Sequence, residues 1–211
     1  MDNQTLRYYS KDAEKIFKRY MEYKSGIRNF FSIAFPKPEK IIDIGCGSGR
    51  DMINLLEMGH DVYGIEPCNE LRMLAELRNP ILKGRIKHGY IPVRFNPFRK
   101  RFNSIVCSAV LMHVPDSEIE EGIASFNDLL EPRGKVLISI PARRPDINEI
   151  GRDSYGRLFN RLSEDDFCRI FNSNDFMLVK KWESDDIHRP GFVWSTLLFQ
   201  AKLNLDFSTG H

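Results

Sequence analysis

The sequence predicts an α/β domain: a doubly wound sheet of about seven mostly parallel strands, with helices on both faces. Two observations carry this. Short apolar runs alternate with helix-spaced segments along most of the chain, as βαβ units require. The stretch IIDIGCGSGRDMINLLEMGHDVYGIE, from Ile41 to Glu66, compresses strand, glycine turn, helix, strand and acid into one such unit.

At 211 residues the chain has the length of one domain with a sizeable core. Its net charge of +2 requires no polyanionic partner. Cys46, Cys68, Cys107 and Cys168 are scattered without a C-x-x-C spacing, which argues against a zinc site and a disulfide framework and fits a reducing cytoplasm. No metal is expected. Residues 1–30 lack the apolar core of a signal peptide, and no run reaches the roughly 18 apolar residues of a membrane span. Nothing in the sequence speaks to the oligomeric state.

Residues 10–24 read as an amphipathic helix capped by Ser10, with Ala13, Ile16, Phe17, Tyr20 and Met21 as its stripe and Tyr8 and Tyr9 preceding it. Ile27 to Phe35 is a second helical piece, stopped by Pro36 and Pro38. Residues 1–40 hold nine Lys/Arg against five Asp/Glu, which a solvated helix face accounts for better than a docking face.

Ile41, Ile42 and Ile44 form a buried strand. Gly45, Gly47 and Gly49 follow at alternate positions, where the missing Cβ permits φ > 0 and close approach of a ligand. The helix carrying Met52, Ile53, Leu55 and Leu56 offers unpaired N–H groups at its start and stops at Gly59. Asp61 to Ile65 is the second strand, and Glu66 at its tip stands 21 residues after Gly45, placed to accept hydrogen bonds from ribose hydroxyls. A dinucleotide site has G-x-G-x-x-G; here the spacing is G-x-G-x-G and Arg50 stands where the third glycine would be. A ligand-free turn and a nicotinamide dinucleotide site stay open as alternatives.

The run D-x-G-x-G-x-G from Asp43 to Gly49 resembles the first motif of the class I S-adenosylmethionine-dependent methyltransferases, a likeness that extends over about residues 40–141. The resemblance implies a Rossmann-like sheet with an antiparallel last strand and S-adenosylmethionine as cofactor. It implies cofactor contacts from Asp43, Gly45, Cys46, Gly47, Ser48, Gly49 and Arg50, and from Glu66 and Pro67. An N-terminal segment over the cofactor would bring in a tyrosine such as Tyr9.

After Pro67 a helix runs from about Asn69 to Arg78, broken by Asn79-Pro80, and Arg85 to His88 is a short strand. The following HGYIPVRFNPF resembles the family's adenine-side loop, with Gly89, Tyr90 and Ile91 at the place of the usual carboxylate. Asn96-Pro97-Phe98 reads as a turn and Arg99 to Arg101 as its exposed continuation. Phe102 to Val110 is the fourth strand. SIVCSAVLMHVPD resembles the segment that lines the methyl donor–acceptor gap in small-molecule members of the family, so Ser108, Ala109 and His113 become site candidates. Imidazole can remove a proton near neutral pH, which makes His113 a candidate general base as well as a substrate contact.

Ser117 and Glu120 have capping-box spacing for the next helix, Pro132 to Gly134 turns, and Lys135 to Ile140 is the fifth strand. Residues 142–162 are polar and arginine-rich beyond the carboxyl end of that strand, where open α/β sheets bind ligands. They read as an insert over the acceptor, with Arg143, Arg144, Arg152, Asp153, Tyr155 and Arg157 as candidates, guanidinium suiting a carboxylate or phosphate. Ser163 caps a last helix; Phe176 to Glu183 and Phe192 to Gln200 are strands joined by a loop holding Asp186, His188 and Arg189. The expected organisation is one domain, 1–211: an N-terminal helical cap (1–38), a cofactor-binding core (39–141), the insert (142–162) and a C-terminal helix with a strand hairpin (163–201). The acceptor expected is a small molecule, with RNA or protein as the alternative acceptors, nucleic acid not favoured, and a non-catalytic cofactor-binding subunit as a further alternative; no membrane partner is expected.

Overall fold

The structure is a computed structural model that describes residues 2–203. The residues after the last strand, Lys202 to His211, read in the sequence as a loose tail; from residue 204 they lie outside the described residues. Two helices, α1 (Asn3–Lys11) and α2 (Ala13–Glu22), open the chain, followed by a 3-10 turn and the short α3 (Phe31–Ala34). Then come β1 (Lys40–Ile44), α4 (Arg50–Glu57), β2 (Asp61–Ile65), α5 (Asn69–Arg78), β3 (Ile86–Lys87) and β4 (Phe102–Ser108). The remainder is α6 (Asp116–Ala124), α7 (Phe126–Leu129), β5 (Leu130–Arg143), α8 (Glu164–Ser173), β6 (Phe176–Asp185) and β7 (Val193–Ala201).

The seven strands lie in the order β3-β2-β1-β4-β5-β7-β6. β1 to β5 pair in parallel, and β7 runs antiparallel between β5 and β6. Both sheet faces are buried, and the period of two decides which residue goes to which face. Ile42, Ile44, Ile105, Val136, Ile138, Leu197 and Phe199 share one cluster with α6, α7 and α8 residues such as Ile119, Phe126 and Phe171. Their neighbours Ile41, Val106, Leu137 and Leu198 share another with Phe31, Phe35, Met52, Leu55 and Ala75. The order reverses between β1 and β4, so the tips of these strands form the crevice where such sheets take ligands.

The N-terminus departs from expectation. The first helix starts at Asn3, not at Ser10, and Tyr8, Tyr9 and Ser10 lie inside it. Asp2 is the cap: its carboxylate accepts from the Thr5 N–H at 2.8 Å and from the Thr5 hydroxyl at 2.7 Å. The helix breaks at Asp12 and resumes as α2.

The Ser117–Glu120 capping box does not form, because α6 already starts at Asp116 behind Pro115. The box at Ser163 and Asp166 does form. β4 ends two residues early, since the Ala109 backbone turns to φ 56° and its N–H donates to the Ser139 hydroxyl at 3.0 Å. The Pro132–Gly134 turn is absorbed into β5 as a bulge, with Phe102 facing Leu130 and Ser104 facing Lys135.

Gly122 sits in the middle of α6, where a Cβ would meet Ile91 Cγ2 at 2.5 Å. Gly122→Ala therefore sets a helix-propensity gain of about 1 kcal/mol against an overpacking cost of about 1–3 kcal/mol. A net loss of up to about 2 kcal/mol is expected in denaturant unfolding; a gain would mean that Ile91 moves aside freely.

Candidate functional site

The glycine turn begins where β1 ends. The Gly45 and Cys46 N–H groups donate to the Ile65 carbonyl at 2.8 and 3.1 Å, tying the turn to the tip of β2. Glu66 continues that link with its side chain. One carboxylate oxygen accepts from Gly47 N–H and the other from Cys68 N–H, both at 2.8 Å. Burial pushes the Glu66 pKa up to about 7 against these two bonds and the nearby Arg72. Gly47 has φ 54° and faces the ring of Tyr20, which a Cβ would meet at 3.8 Å. Val110, just past β4, packs so close to Gly45 that an added Cβ would overlap it. The tips of β1, β2 and β4 therefore converge on one small crevice.

The other expected cofactor residues are distributed around it. Asp43 is buried below the turn, and burial together with neighbouring Asp51 pushes its carboxyl well above the ordinary range. Ser48 is buried in the turn itself, and Cys46 turns its thiol into the core, toward Met52 and Gly64. Pro67 is half-buried next to Glu66. Gly89 packs on Ile65, beside the acid, whereas Tyr90 is exposed and Ile91 is buried in the core. Ser108 faces Ser139, with 3.4 Å between hydroxyls, and Ala109 forms the end of the strand. Arg50 points elsewhere: its guanidinium donates to the Tyr20 and Tyr23 carbonyls, both at 3.2 Å, and so covers the start of α4.

Across the crevice lies a second group. His113 is buried in the turn after β4. Its Nδ1 lies 2.6 Å from the Leu158 carbonyl and its Nε2 lies 3.3 Å from the Tyr9 hydroxyl. A carbonyl can only accept, so Nδ1 carries the proton and Nε2 accepts from Tyr9. Burial lowers the His113 pKa to about 4, outweighing the Leu158 bond. The ring is thus neutral near pH 7 and a weak base; as a hydrogen-bond acceptor it is well placed. Burial, and then Tyr20, raise the Tyr9 phenol well above its usual range.

The insert supplies a buried ion pair. Arg157 Nε and a terminal nitrogen donate to Asp153 Oδ2 at 2.8 and 2.6 Å. Arg144 joins at 3.5 Å, and the Arg157 guanidinium lies over the Tyr8 ring, 4.9 Å from its centroid. Tyr155 is exposed, its ring 5.3 Å from that of Tyr8. Arg143 is not gathered here; it is exposed and donates to the Gly191 carbonyl at 2.9 Å. An open cavity of about 600 Å³ borders the insert through Arg144 and Phe159 but touches no residue of the glycine turn.

Sequence reasoning named Arg152 but missed its partner and the other contacts that tie the halves together. Asp2 and Arg152 form a two-point ion pair at 2.8 and 3.0 Å, and Leu158 N–H donates to the Thr5 hydroxyl at 2.8 Å. Tyr20 carried a legible signal only as an apolar stripe residue. Asn160 carried none.

A seven-stranded sheet in this order, with a glycine turn at β1 and a buried acid at β2, has the architecture of the class I methyltransferases. The chain belongs to the methyltransferase-domain family, whose model matches residues 14–181. It is 30% identical over 132 residues to a methyltransferase of Oceanobacillus iheyensis, a match covering 60% of this chain and 56%, little over half, of that relative. A methyltransferase of Geobacillus kaustophilus matches at 27% over 195 residues, covering 88% of this chain and 89% of the relative. Among solved structures, the 1,6-didemethyltoxoflavin N1-methyltransferase of Burkholderia thailandensis, with bound 1,6-didemethyltoxoflavin and S-adenosylhomocysteine, superposes with a TM-score of 0.69. That pair is 18% identical, with 92% of this chain and 84% of that one covered.

The His113 environment has a measurable consequence. Its folded pKa of about 4 lies below the ordinary value of 6.5. The unfolded chain therefore takes up a proton, as pH falls below 6.5, that the fold refuses, and stability drops between pH 6.5 and 4. Wild type is expected to lose up to about 3 kcal/mol more over that window than His113→Gln. Urea unfolding at both pH values measures it; Glu66, raised in the fold, acts with the opposite sign in both proteins and cancels.

Proposed function

We propose that this chain transfers the sulfonium methyl group of S-adenosylmethionine to a small-molecule acceptor, releasing S-adenosylhomocysteine. The observation that carries the reading is the Glu66 carboxylate spanning the glycine turn. A carboxylate has about four lone-pair sites. The two backbone bonds leave the rest to accept from a ribose diol. Gly45, Gly47 and Gly49 offer backbone without side chains to the methionine portion, and Gly89 and Tyr90 flank the adenine side. When bound, the cofactor supplies an activated methyl that needs only an aligned nucleophile. The chain's residues orient the acceptor and exclude water, and orientation of that kind can supply on the order of 7–11 kcal/mol.

On the acceptor side, Tyr9, His113, Asp153, Tyr155 and Arg157 line the approach, with Arg143 at its outer rim. The division into N-terminal cap, core, insert and C-terminal hairpin is part of the same reading. A dinucleotide loses support because Arg50 stands where G-x-G-x-x-G requires its third glycine. A nucleic-acid acceptor loses support because Lys100 and Arg101, two of the three residues in the basic run, have intramolecular partners. There, Lys100 Nζ lies 3.3 Å from the Tyr63 ring centroid and Arg101 donates to the Leu130 carbonyl. The solved neighbour that binds 1,6-didemethyltoxoflavin makes a small acceptor the favoured class. No described helix is long and apolar enough to cross a membrane. The free cysteines, three of them buried, support a cytoplasmic location.

Calorimetric titration with S-adenosylhomocysteine tests the cofactor assignment. Gly47→Val forces a β-branched residue to φ 54°, and Glu66→Ala removes two charged acceptor positions. Each is expected to weaken binding about 100-fold or more while the thermal unfolding transition remains. Affinity should also fall as pH drops below about 7, where Glu66 takes up a proton, and this slope should vanish in Glu66→Gln. Unchanged binding in both of the first two variants refutes the assignment.

A further inference from the structure

Asn160 makes more contacts to the turn bearing His113 than any motif predicts. Its side-chain amide donates to the Leu111 carbonyl at 2.7 Å and the Val114 carbonyl at 3.1 Å. Its backbone N–H donates to the Met112 carbonyl at 2.8 Å. Three of the carbonyls around His113 are thus held by one residue of the insert. Two positions earlier on the same segment, the Leu158 carbonyl accepts from His113 Nδ1–H at 2.6 Å. Between them, the Phe159 ring lies 4.6 Å from the imidazole, centroid to centroid, and Phe159 N–H donates to the Gly151 carbonyl at 2.7 Å. The segment 158–160 therefore grips both the backbone and the ring of His113, and the 151–159 hairpin carries the Asp153–Arg157 pair on the same piece of chain.

We propose that Asn160 is a positioning residue of the acceptor site. It holds the His113 turn against Leu158, so that the imidazole stays in its Nδ1-protonated form with the Nε2 lone pair turned to Tyr9. The assignment rests on the acceptor-side reading above, but its chemistry can be measured without an acceptor. An amide has two N–H donors, and both are used here on carbonyls. Aspartate at this position has the same shape and no donor, and its charge repels the two carbonyls. The turn then separates from Leu158, the ring loses its fixed acceptor, and the proton redistributes between Nδ1 and Nε2. Asn160 also ties the segment bearing Arg157 to the turn bearing His113, so the spacing between the two depends on it.

The test is ¹⁵N spectroscopy of the full chain with labelled histidine, using His113→Gln to assign the resonance among the five histidines. Wild type should show a pyrrole-type Nδ1 and a pyridine-type Nε2. In Asn160→Asp and Asn160→Ser the ratio of the two tautomers should move about tenfold toward the Nε2-protonated form, the equilibrium worth of one net hydrogen bond. Both variants should bind S-adenosylhomocysteine within about threefold of wild type, since they leave the glycine turn and Glu66 intact; a tenfold shift in tautomer ratio has a different origin. A wild-type tautomer signature retained in both folded variants overturns the proposal. If instead wild type fails to bind S-adenosylhomocysteine, the cofactor assignment falls while the tautomer result still decides the role of Asn160.

Discussion

The structure depends on one carboxylate joining two strand tips. Glu66 belongs to β2, but its bonds go to Gly47, in the turn after β1, and to Cys68, at the start of α5. A glycine turn with φ > 0 at alternate residues is locally under-determined, because glycine loses more backbone freedom on ordering than any other residue. The acid offsets that loss by fixing one amide of the turn. Burial raises its pKa to about 7, which makes it an acceptor that would gain from further donors. A turn fixed this way keeps its shape without rearranging the sheet beneath it.

The opposite wall is built from distant chain segments. α1, the turn after β4 and the 142–162 insert share no sequence neighbourhood, yet Tyr9, His113 and Leu158 form one hydrogen-bonded line. On this wall the buried Arg157 pairs with the buried Asp153, and the half-buried Asp2 pairs with Arg152, whose guanidinium holds the Asp2 carboxyl well below its ordinary range. Leaving either partner of the buried pair alone would cost more than the pair contributes. The wall is therefore intolerant of single charge deletions, while the glycine side is intolerant of added side-chain volume.

What the sequence made legible follows from distance along the chain. The turn, Glu66 and the helix Asn69–Arg78 were readable because spacing within about 25 residues determines them. The Asp153–Arg157 pair is four residues apart and announced itself as charge. Tyr9 and His113 are 104 residues apart, and Asp2 and Arg152 are 150 apart. No local pattern marks such pairs. The start of α1 at Asn3 was hidden for a related reason: NQTLRYYSK holds a single aliphatic residue, Leu6, and its cap is fixed in part by Arg152. At Ser117 the local signal was present and lost, because Pro115 and Asp116 open the helix first.

The clasp between Asp2 and Arg152 also bears on the order in which the protein comes into being. During synthesis the amino-terminal helix leaves the ribosome long before the insert that must receive it, and contacts of such sequence separation form late. The nascent chain can assemble β1, α4 and β2 as a local unit while α1 waits with Tyr8 and Tyr9 unsheltered. The glycine crevice thus precedes its opposite wall, and residues synthesised before β1 are among the last to find their places.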